Sequence, residues 1–217
     1  MDVFGRDTIE FENNKKLEKI EWDDLWFNDA NDETVKRILF LGASMIRGFR
    51  PYVNELLYND NRVADQLATS KSVDNPYFFN LIDYAISQQP KIDIIYIVFG
   101  GHGSHLNISE YEKYYREMIK YLMENYSDKK LVISNLVPFR NKDNFAELSS
   151  HNQFYVDRGG VAKKVAEEFS IPFVDLYSAF INRNDYNETY AHDGIHLTSK
   201  GNKIIANEIY SALKKFI

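Results

Sequence analysis

The chain alternates between short apolar runs and longer stretches whose apolar residues recur every three or four positions. RILFLGA (37–43) is almost unbroken apolar and ends at a small-residue turn, the pattern of a buried parallel strand. IDIIYIVFG (92–100) is the strongest run of this kind, and KLVISNLV (130–137) and IPFVDLY (171–177) supply two more. RVADQLA (62–68) reads as a poorer strand with one polar face. Helical patterns lie between them. PYVNELLY suits a short helix with Pro51 in its first turn. NPYFFNLIDYAIS (75–87) spaces Phe78, Leu81, Ile82, Ala85 and Ile86 for one buried face. SEYEKYYREMIKYLMENY (109–126) is a long amphipathic helix, with Ser109 and Glu112 spaced as a capping box. FYVDRGGVAKKVAEEF is mostly helical but weakened at Gly159–Gly160, and KGNKIIANEIYSALKKF closes the chain as a helix behind Thr198 or Ser199.

Strands and helices in alternation predict a three-layer α/β/α sandwich around a mostly parallel five-stranded sheet. Function in such a sheet gathers at the carboxyl ends of the strands. Those ends carry Gly42-Ala43-Ser44, Thr69-Ser70 and Gly100-Gly101-His102. Residues 1–34 are polar and acidic, yet they include Phe11, Trp22, Leu25, Trp26 and Phe27. A disordered tail rarely holds two tryptophans, so an arm over 1–34 is expected to pack on a domain over 35–217.

Composition narrows the function classes. The 217 residues suit one α/β domain, and the absence of cysteine removes thiol catalysis, Cys-ligated zinc and disulfides together. A net charge of −6, with basic residues scattered among acidic ones, argues against a nucleic-acid surface and favours a neutral or small-molecule substrate. No signal-peptide pattern and no membrane-length apolar run is visible, so a cytoplasmic protein without a membrane partner is expected. The 15% aromatic content is read first as core and only second as sugar-stacking surface. Nothing indicates the oligomeric state.

Candidate chemistry begins at HDGIHLTSKG (192–201). In a tight turn the carboxylate of Asp193 reaches one ring nitrogen of His196 and leaves the other free to accept a proton, as in a hydrolase triad. Taken alone, D-x-x-H is more often a solvated loop. It gains weight from Ser44, which follows a predicted strand and can expose its hydroxyl beside backbone N–H groups. A serine there is most often a helix cap or a turn residue. GASMIRG lacks both common glycine-rich nucleotide-binding patterns, so a nucleotide fold fits poorly. In FGGHGSHL (99–106), His102 and His105 would need further ligands and a carboxylate second shell to hold zinc, so no metal is expected. His102 is better placed as a polarising donor beside an oxyanion.

The blocks FLGASMIRG, LATSKSV, FGGHGSH and DGIHLTSKG resemble, in order and spacing over residues 37–217, the ordered blocks of the SGNH/GDSL hydrolase superfamily. LATSKS, the G-x-H-G turn and DGIH together resemble an esterase-like bacterial branch of it. The resemblance implies a flavodoxin-like SGNH topology, with Ser44 as nucleophile, His196 as base and Asp193 as orienting acid. It implies an oxyanion hole from the N–H groups of Ser44 and Ser70 and the ring of His102, with no cofactor. Gly101 and Arg140 are candidates for substrate contact, while Arg140, Asn144 and Arg158 either face the site or merely solvate their loops. Two positions depart from the family pattern. Ala43 replaces the Asp of Gly-Asp-Ser, which removes a brace, and His102 replaces the block-three Asn, which puts an oxyanion donor in doubt. The leading expectation is a serine esterase removing small acyl groups, most of all acetyl, from a carbohydrate or related metabolite. A lipase or thioesterase, an O-acyltransferase, and a binding protein that lost turnover are the alternatives.

Overall fold

The apolar runs become strands because alternate side chains meet opposite helical layers. A computed structural model describes residues 17–89 and 91–217. Its main sheet contains β1 (Asp23–Trp26), β2 (Lys36–Gly42), β3 (Arg62–Thr69), β4 (Ile92–Val98), β5 (Lys130–Ser134) and β8 (Phe173–Val174) in the order β1-β3-β2-β4-β5-β8. The five later strands are parallel, and β1 joins antiparallel at the β3 edge. The α/β sandwich is thus as expected, with one strand more, contributed by the N-terminal arm. Phe11, expected to help seat that arm, lies outside the described residues.

On one face Ile38, Phe40, Ile94 and Tyr96 pack with α1 (Met45–Leu57), α5 (Leu176–Ile181) and α7 (Ser199–Leu213). On the other, Leu39, Leu41, Ile95 and Ile97 pack with α2 (Phe78–Ser87), α3 (Ile108–Asn125) and α4 (Asn152–Glu168). The chain leaves β2 toward one layer and β4 toward the other. Ser44 and the Gly100–Gly103 loop therefore flank the topological switch point, where doubly wound sheets form a crevice. A short hairpin of β6 (Arg140–Asn141) and β7 (Asn144–Leu148) and a single turn, α6 (Tyr186–Thr189), lie outside the sheet.

Four local expectations are corrected. The first helix starts at Met45, so Pro51 lies inside it rather than in its first turn. Burial of Ile46, Phe49, Val53 and Leu57 offsets the lost hydrogen bond, which costs about 3 kcal/mol. The capping box of α3 is Asn107 with Glu110, two residues before the expected pair; Glu112 instead meets Arg116 and Lys164. The Gly159–Gly160 pair leaves α4 continuous. The polar face of β3 is not exposed: all eight residues are buried, because Asp65 pairs with Arg37 and Gln66 accepts from Arg50. Among the described residues, no helix is long and apolar enough to cross a membrane.

Candidate active site

Ser44 sits where β2 hands over to α1. Gly42 is needed two residues earlier, since a Cβ there would strike the Val98 carbonyl of neighbouring β4. Ser44 occupies the N-cap position of α1, but its hydroxyl makes no capping bond. It lies 2.8 Å from His196 Nε2 instead. The ring's other nitrogen, Nδ1, is 2.6 Å from Asp193 Oδ2. Asp193 Oδ1 accepts the N–H groups of Ile195 and His196, each at 2.9 Å, closing the tight turn. Burial pushes the Asp193 carboxyl up, but the His196 ring and those two N–H groups outweigh it and hold the carboxyl at about 2. It is therefore ionised at neutral pH and accepts from Nδ1–H. That fixes the tautomer and leaves Nε2 to accept from the Ser44 hydroxyl.

The turn is carried by its surroundings. Ala191 N–H donates to the His196 carbonyl at 2.8 Å, Arg140 N–H donates to the Gly194 carbonyl at 2.8 Å, and Thr198 caps α7 just beyond. Arg140 is a correction. Its side chain is buried, stacked over Tyr186 at 3.9 Å and donating to the Ile181 carbonyl, so it supports the turn rather than reaching for substrate. Asn144 is exposed and bonds within its own hairpin.

Ser70 is a second correction. Its N–H donates to the Trp22 carbonyl at 3.1 Å and its hydroxyl accepts from Trp22 N–H at 2.8 Å, so the N–H expected at an oxyanion is committed to the arm. Gly101, at the β4 end, faces open space. Next to it, His102 packs edge-on against Trp22, and its Nδ1 lies 3.9 Å from Glu18. Burial, opposed by Glu18 and reinforced by Arg158, lowers the His102 pKa, which keeps the ring neutral at pH 7. Among the described residues no hydrogen bond joins His102 to Ser44 or His196. His105 turns to Asp74, at 2.9 Å, and no three His, Asp or Glu side chains among the described residues gather around a common metal position.

Arg158 does not face the cleft either. Buried between Tyr111 and Phe154, it donates to the carbonyls of Gly100, His102 and Gly103 and so grips the whole loop from α4. An arginine in the apolar stripe of a helix was the sequence signal for this role.

A hydrogen-bonded Ser-His-Asp set at the carboxyl edge of a doubly wound sheet is the arrangement of serine hydrolases. The family model for GDSL-like lipases and acylhydrolases matches residues 42–209, and the chain belongs to that family. Among curated relatives, the GDSL esterase/lipase CPRD49 of Arabidopsis thaliana is 24% identical over 144 residues, 58% of this chain and 56% of the relative. The GDSL esterase/lipase WDL1 of Oryza sativa subsp. japonica is 27% identical over 145 residues, 58% of this chain and 55% of the relative. The chain thus matches only about half the length of these relatives. Two solved structures share the fold. The acetyl xylan esterase AlAXEase has a TM-score of 0.65 at 17% identity, covering 82% of this chain and 99% of that one. A lipase/acylhydrolase from Enterococcus faecalis has a TM-score of 0.64 at 16% identity, covering 83% and 96%.

Proposed function

We propose that this protein is a serine esterase that removes acetyl or similarly small acyl groups, on a carbohydrate or related metabolite. What supports this is the unbroken hydrogen-bond chain from Asp193 through His196 to the Ser44 hydroxyl. Ser44 Oγ attacks the ester carbonyl as His196 Nε2 takes its proton, and ionised Asp193 stabilises the imidazolium. The tetrahedral oxyanion is met by the N–H groups of Ser44 and Gly101 and by the neutral ring of His102. With the Gly100 carbonyl turned toward Arg158, the following Gly101 N–H points away from it. His196 then returns the proton to the leaving alcohol oxygen. Water enters by the reverse sequence and releases the acid, with no metal or cofactor in any step.

Acetyl esters are favoured because fold neighbours include an acetyl xylan esterase and an acetyl-xylooligosaccharide esterase from Geobacillus. Fluorophosphonate labelling tests the mechanism: wild-type protein reacts and Ser44→Ala does not. Equal resistance of the two proteins would end the catalytic reading. Nitrophenyl esters of increasing chain length test the substrate class, with peak activity expected on acetate and a peak at eight carbons contradicting it.

A further inference from the structure

We propose that the Trp22 indole sets the size of the acyl group, walling the cleft on the side of Ser44 opposite His196. This rests on the esterase reading above. The leaving-group oxygen must face His196 Nε2 to receive its proton, so the acyl substituent extends away from that ring. The sheet order defines the two sides. The His196 turn is tied through Gly194 to Arg140, on the chain leaving β5, whereas the arm lies along β3 on the other side of β2.

Trp22 stands at the site end of that arm. Its backbone is bonded to Ser70, at the end of β3, through both main chain and hydroxyl. Its ring lies edge-on to His102, with centroids 6.3 Å apart. The Arg47 guanidinium is 5.4 Å from the indole centroid, one helical turn beyond Ser44, and Arg47 also pairs with Asp24 at 2.9 Å. The indole thus spans from the Ser44 helix to the loop that follows β4.

It is also fixed there. Glu18 accepts the Gly103 N–H at 2.7 Å, Glu21 accepts from Asn75 at 2.7 Å, and Asp23 pairs at 2.8 Å with Lys71, whose side chain is only 10% exposed. Contacts on both sides of Trp22 in the sequence make it a wall rather than a mobile flap. A rigid indole held between Arg47 of the Ser44 helix and His102 admits short acyl groups and excludes long ones by contact.

The test is the ratio of kcat/KM for nitrophenyl octanoate to that for the acetate. Trp22→Ala raises this ratio at least tenfold over wild type. Trp22→Phe, which keeps a ring on the same seat, raises it less and carries the test if alanine abolishes fluorophosphonate labelling. Trp26→Ala, at an exposed position of the adjoining strand β1, leaves it unchanged. An unchanged ratio in a Trp22 variant that still labels overturns this inference alone. Wild-type protein that does not label overturns the esterase reading, and this inference with it.

Discussion

The main chains of Arg140 and Gly194 lock together. Arg140 N–H donates to the Gly194 carbonyl at 2.8 Å, and a Cβ on Gly194 would collide with the Arg140 carbonyl oxygen. Gly194 also holds φ at 71°, between Asp193 and His196. Gly194→Ala is therefore expected to cost about 1–3 kcal/mol of stability, since a side chain is strained at such a backbone angle. It should also displace the His196 ring from Ser44 and lower kcat. Urea denaturation and nitrophenyl acetate turnover measure the two effects, and wild-type values in both would contradict the account.

Asp193 supplies a pH signature. Its folded value of about 2 lies below the unfolded carboxylate's, about 3.9, so the unfolded chain takes up the proton first. The stabilisation is complete above about pH 5 and is lost as pH falls toward 2. Asp193→Asn should therefore lower Tm at neutral pH, with the gap from wild type narrowing steadily below about pH 4. The same variant loses activity on the order of 10⁴-fold, because the ring is no longer held in the productive tautomer. A Tm gap independent of pH would count against the hydrogen-bond account of the shift.

Removing Arg158 leaves the Gly100, His102 and Gly103 carbonyls without their donor. The two buried orphans, on Gly100 and Gly103, each cost about 1–3 kcal/mol, so Arg158→Met is expected to be among the more destabilising single changes, by urea denaturation. His102→Ala leaves that grip intact, because Arg158 holds its carbonyl rather than its ring. It should lower kcat about 10²–10³-fold through the lost oxyanion donor while the unfolding midpoint moves little. Unchanged kcat would remove His102 from the mechanism.

Arg37 and Asp65 form an ion pair at 3.0 Å, with side-chain exposures of 1% and 0%. Arg37 also holds the carbonyls of Asn28 and Asp29, the chain that links β1 to β2. Asp65→Ala strands a buried guanidinium and is expected to cost about 3–5 kcal/mol. Chemical denaturation measures this, and a loss below about 1 kcal/mol would show that water or other carboxylates replace Asp65.

The sheet was legible because β2 and β4 are continuous apolar runs, a pattern that only two-sided burial explains. Ser44 and the Asp193–His196 pair were legible for a related reason: each falls where the chain turns at an element boundary. The polar face of β3 was not, since its burial depends on Arg37 and Arg50, whose approach is decided by packing rather than by local pattern. The α3 cap was ambiguous for another cause. Asn107–Glu110 and Ser109–Glu112 have the same spacing; what separates them is that Asn107 accepts the N–H groups of Ser109 and Glu110 while Glu112 is drawn to Arg116 and Lys164. The partner of the Ser70 N–H was not legible, because Trp22 immediately precedes a strand too short and acidic to read as one.

That short strand has a second consequence, for solubility. Without β1, the fully buried β3 would end the sheet with an open row of backbone donors and acceptors, a template for pairing with another chain. Four residues beginning with two aspartates make a poor template in its place. The arm that walls the cleft therefore also closes the sheet against edge-to-edge growth, and a chain shortened past Trp26 would be expected to aggregate before it lost its triad.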